Sequence, residues 1–166
     1  MKTGVGIHSI VLSDEVWIVT ALLHRDNPDR NDFTISEIVR RAHEAEVVGR
    51  VRPGFRPHVT LHCVANLPPN PGKTRVLYAT GKHTRRLFRL GDDYHPEREG
   101  AKTKPEPEKI PEEYQDLLNW YSAVYSGPSS QTEVPDPMMA LFGSGRQLWA
   151  DEHPNDYVRR LREGWE

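Results

Sequence analysis

The chain has a single cysteine, Cys63, which excludes an internal disulfide and suits a reducing compartment. It has no apolar run near the roughly 20 residues that a membrane span needs, and no basic-then-apolar leader opens it. A cytoplasmic location without a membrane partner is the expectation. Aromatics are scarce at 8%, against 28% charged residues and 14 prolines. Those proportions fit irregular segments, and 166 residues have room for one compact domain of about 100 residues with appendages or for two very small ones.

The most informative deficit is local. From Val47 to Gly91 there is no Asp or Glu, in a chain that carries 24 of them. The same stretch holds Arg50, Arg52, Arg56, Lys73, Arg75, Lys82, Arg85, Arg86 and Arg89, a charge of +9 within a net charge of −2. A block of this kind creates a positive potential that draws in polyanions. The plainer alternative is a basic face that balances acidic flanks.

Local patterns place the elements. Ser13 reads as the N-cap of a first helix, with Asp14 and Glu15 in the dipole-favoured first turn and Val16, Val19, Thr20 and Leu23 as its apolar stripe. Asn27-Pro28 stops it. Thr34 and Glu37 form a T-x-x-E capping box for a second helix that fades near Glu46. A third helix is predicted from Pro57 to Asn66, Pro57 suiting a first-turn position. "TRVLYAT" and "RRLFRL" read as two strands joined by the basic turn "GKHT". Residues 96–111 are charged and proline-rich, as a linker would be. A fourth helix over residues 112–125 carries Tyr114, Leu117, Leu118, Tyr121 and Tyr125 at helical spacing, a stripe suited to a homodimer surface or to padding the core.

Three helices followed by a basic two-stranded hairpin make an α+β order. Residues 14–94 resemble a winged helix-turn-helix DNA-binding domain, with the hairpin as the wing. The connection "EAEVVGRVRPGFR" is longer than the roughly three- or four-residue turn of that motif. The resemblance implies double-stranded DNA as partner, helix three in the major groove and the wing on the adjacent backbone. It implies that Arg50, Arg52, Lys73, Lys82, Arg85 and Arg86 contact phosphates. Arg56, His58, Thr60, His62 and Asn66 would meet base edges.

"RPGFRPHVTLHC" raises a rival chemistry. His58 and His62, four apart on a helix, face the same way and suit a shared metal, with Cys63 a third ligand about 100° round the axis. A metal-dependent nuclease built on those three would also need a carboxylate base, and the basic block has none. Cys63 reads better as a small buried hydrophobe. No nucleophile elbow, Walker-type loop or dinucleotide fingerprint is present, and "GSGRQ" at 143–147 follows no convincing strand. The expectation is a non-enzyme without cofactor or metal.

The remaining layout is an N-terminal segment at 1–12, the winged-helix domain at 13–95, a second linker at 126–137 and a partner-binding tail at 138–166. Residues 136–166 are similar to the C-terminal arms of bacterial antitoxins from toxin–antitoxin systems. That likeness implies a protein partner facing Leu148, Trp149, Tyr157, Arg159, Arg160, Leu161 and Trp165, with an arginine entering an acidic pocket. An autoregulating, dimeric transcriptional repressor is the combined expectation. A protein-interaction adaptor, using the winged helix and tail to join two proteins, is the alternative.

Overall fold

The computed structural model describes residues 10–127. The elements are α1 (Leu12–Asp26), β1 (Phe33–Thr34), α2 (Ile35–Ala45) and α3, which opens at Phe55–Pro57 and continues as a π-helical turn over His58–His62. Then come β2 (Leu77–Ala79), β3 (Thr84–Leu87) and α4, which spans Glu112–Trp120 and continues as a π-helical turn over Tyr121–Tyr125. Among the described residues the architecture is thus α+β, four helices with a three-stranded antiparallel sheet. None of these helices is long and apolar enough to cross a membrane.

α1 begins at Leu12 rather than after Ser13, and Val11 stands at its N-cap without a side-chain hydrogen bond. Every residue from Asp14 to His24 is buried, not one stripe only. The reason is α4, which lies against α1: Trp17 meets Tyr121 edge-on at 5.6 Å and His24 meets Tyr125 at 4.7 Å between ring centroids. Two carboxylates are buried in the first turn of α1, where the helix dipole favours them. Arg52 donates twice to Glu15 Oε2, at 2.6 and 3.0 Å, and Lys102 Nζ lies 2.6 Å from Asp14 Oδ1. A buried charge persists when it is paired in this way.

Leu117, Leu118, Tyr121 and Tyr125 of α4 are buried in the same core, so the stripe pads the interior and is spent as a homodimer surface. Tyr125 donates to the Leu87 carbonyl at 2.8 Å, and Tyr121 donates to that of Phe88. The proline-rich stretch before α4 runs over this body rather than away from it. Arg98 and Ile110 are buried, and Arg75 N–H donates to the Lys102 carbonyl at 2.7 Å.

α2 starts where its capping box predicts. Glu37 N–H donates to Thr34 Oγ1 at 3.2 Å, and Thr34 N–H donates back to Glu37 Oε2 at 2.8 Å. Glu46 ends the helix in the left-handed region, at φ 47°. The sheet runs β1-β3-β2, with Phe33 opposite Arg85 and Tyr78 opposite Arg86. Side chains on β3 alternate in depth, Arg85 and Leu87 pointing inward.

Candidate nucleic-acid interface

α3 is shorter than its sequence pattern implies, ending at His62 instead of Asn66. Pro57 falls in the first turn, where its missing N–H leaves no gap in the ladder. Phe55, Val59 and Cys63 face the core, while Arg56 and Thr60 are exposed, and His58 and His62 are half-buried. The last four carbonyls of a helix have no partners within it. Here two guanidiniums take them. Arg85 donates to Val59 and Thr60 at 3.3 and 3.0 Å, and Arg98 donates to Leu61 and His62 at 3.1 and 3.0 Å. Positive charge at a helix C-terminus is also favoured by the dipole.

Each of these arginines reaches a second piece of chain. Arg85 Nη1 donates to Gly81 and Thr84 carbonyls at 2.9 and 2.8 Å, which fastens the hairpin turn to α3. Arg98 donates further to Leu67, Pro68 and Thr74, at 2.7, 3.2 and 2.7 Å. A guanidinium has five N–H donors, and Arg98 spends all of them on five different carbonyls. Burial pulls both groups below the usual arginine pKa, without a carboxylate to restore it.

The predicted phosphate contacts therefore divide. Arg50, Lys73 and Lys82 are exposed, and their side chains make no hydrogen bond or ion pair among the described residues. Arg52 is paired with Glu15. Arg85 is 3% exposed and occupied by carbonyls, so its guanidinium cannot serve a phosphate. Arg86 is held by Asp92 through two hydrogen bonds, at 2.7 and 2.8 Å, and lies 4.5 Å over the Tyr78 ring. Arg75, which sits 4.1 Å over Tyr94, is likewise drawn inward. The nine cations of the acid-free block do not converge on one surface.

The predicted base readers divide too. Arg56 is exposed and unpaired among the described residues, and Thr60 Oγ1 donates to the Arg56 carbonyl at 2.8 Å. His58 Nδ1 is 2.8 Å from the Gly54 carbonyl, and its ring packs edge-on to His62 at 5.0 Å. Asn66 lies beyond α3. Its amide donates to and accepts from Ala79, at 3.0 and 2.9 Å, as a further strand would do along β2. It guards the sheet edge instead of meeting bases.

Cys63 is fully buried, and desolvation raises its thiol to about 11. Among the described residues no three His, Cys, Asp or Glu are grouped to hold a metal ion. The tail residues Leu148, Trp149, Tyr157, Arg159, Arg160, Leu161 and Trp165 lie outside the described residues. Sequence reasoning missed Arg98, because one arginine among glutamates and prolines in "HPEREG" gives no sign of burial. No family model, curated protein or solved structure matches the chain.

Proposed function

We propose that residues 12–94 work as a winged-helix module that binds duplex DNA, and that the chain is a transcriptional regulator. The observation that carries this reading is Arg85. By donating to Val59 and Thr60 on one side and to Gly81 and Thr84 on the other, it makes α3 and the hairpin turn one stiff body. That body displays Arg56 and Thr60 from the helix and Lys82 and His83 from the turn, all exposed. The order helix, strand, helix, helix, hairpin, with β1 on β3, supports the same reading.

In this arrangement α3 enters the major groove and the wing lies on the neighbouring backbone. Arg56 is the reader of guanine, since its fork matches O6 and N7. The Thr60 hydroxyl is engaged with the helix, which leaves its methyl to meet a thymine methyl. Arg50, Lys73 and Lys82 contact phosphates. Three such contacts give a log–log salt slope of roughly −3, gentler than the full basic block would.

Fluorescence anisotropy with duplex DNA from upstream of its own gene tests this. Replacing Lys73 and Lys82 by Ala should weaken binding to every sequence alike and flatten the slope by about 2. Arg56→Ala should cost about 1–3 kcal/mol at the preferred site only. Absent or salt-insensitive binding overturns the proposal.

A further inference from the structure

A cavity of about 200 Å³ lies between the end of α1, the segment leading into β1 and the last turn of α4. Its walls include His24, Arg30, Asn31, Arg89, Trp120 and Tyr125, and no carboxylate among the described residues lines it. Arg30 is already matched, donating to both oxygens of Glu37 at 2.7 and 3.1 Å. Arg89 is not. Arg41, Arg52, Arg75, Arg85, Arg86 and Arg98 are each buried or half-buried and donate to an acceptor. Arg89 is half-buried as well, yet its guanidinium makes no hydrogen bond or ion pair among the described residues. It rests 4.6 Å over the Tyr125 ring.

The surroundings favour an anion with a flat apolar body. His24 is held neutral, its pKa lowered to about 3 by burial first and then by the charges of Arg89 and Arg86, so the local field is positive. Trp120 and Tyr125 form an aromatic wall, with ring centroids 5.5 Å apart. An apolar cavity of roughly 150 Å³ is enough to take benzene, so this one has room for a single ring bearing one charged group. Arginine prefers a carboxylate, which it meets with two parallel hydrogen bonds.

We infer that this cavity binds a small aromatic carboxylate, with the carboxylate on Arg89 and the ring against Trp120. The inference is independent of the DNA reading. Calorimetric titration of the full 166-residue chain with benzoate, and with the uncharged isostere benzamide, tests it. Saturable binding of benzoate at one site is expected, at least about tenfold tighter than benzamide and weakened at least about tenfold by Arg89→Gln. Val124→Trp, at a rim residue that is 62% exposed, fills the cavity without touching the charge and should weaken benzoate equally. It decides the matter if Arg89→Gln fails to fold by circular dichroism. No saturable benzoate binding, equal affinity for benzamide, or unchanged affinity in the filled variant overturns the inference.

Discussion

The α1–α4 region and the α3–hairpin region hold together by different physics. The first is an apolar interlock of Trp17, Leu117, Leu118, Tyr121 and Tyr125, where burial and ring packing dominate. The second depends on Arg85 and Arg98, whose guanidiniums satisfy carbonyls from α3, the hairpin and the loop after α3. Dispersion and hydrophobic burial are forgiving of shape as long as volume is conserved. A five-donor fork is not, since no other side chain has its geometry. One half of the molecule should therefore respond to volume and the other to donor count.

The largest expected effect is at Arg98. Arg98→Ala removes the partner of five carbonyls and should cost about 4 kcal/mol or more in urea unfolding, since each stranded buried acceptor costs about 1–3 kcal/mol before relaxation. A loss under about 1 kcal/mol would mean that the carbonyls find other partners.

A matched pair of conservative changes sharpens the contrast. Arg98→Lys keeps the charge but leaves three donors where five are used, and should cost at least about 2 kcal/mol. Leu117→Met, volume-conserving in the apolar region, should cost under about 1.5 kcal/mol. Equal losses would erase the distinction between the two regions.

Acid should weaken the α1–α4 side through His24. Its folded pKa, about 3, lies below the ordinary 6.5, so the unfolded chain binds the proton more readily. Stability is then complete above the unfolded value and falls as pH drops from 6.5 towards about 3. From neutrality to about pH 5 the loss should be about 2 kcal/mol in urea titrations. His24→Gln, which retains an acceptor for the Leu87 N–H, should flatten that slope. A slope that persists in the variant assigns the acid sensitivity to another group.

The smallest effect is a gain outside both regions. Glu46 occupies a left-handed conformation, φ 47°, with an exposed side chain. Glycine there relieves the strain at some entropic cost, and Glu46→Gly should stabilise by about 0.5–1 kcal/mol, read as a raised urea midpoint. A destabilised variant would show that the Glu46 side chain has a use beyond the helix stop.

Several features are legible in the sequence because they are local. The Thr34–Glu37 capping box, the basic hairpin over "TRVLYAT" and "RRLFRL", and the buried nature of Cys63 need only near neighbours. The α1 boundary and the length of α3 are not legible in this way: an N-cap residue type does not ensure a cap, and α3 stops where Arg85 and Arg98 donate to its carbonyls. Among the candidate site residues, Arg50, Arg56, Lys73 and Lys82 are as exposed as the charge pattern suggests. Arg52, Arg85, Arg86 and Asn66 are not available, and nothing adjacent to them in sequence says so.

By itself the amino-acid order determined the start of α2, which rests on a side-chain cap, the basic hairpin and the accumulation of cations in the middle third. Only the tertiary structure decided which of those cations meet water and which meet carbonyl oxygen. The Arg52–Glu15 pair and the Arg98–Leu61 bond each span 37 positions. A guanidinium is the same group in either setting, and its role is set by acceptors that folding brings from that far along the chain.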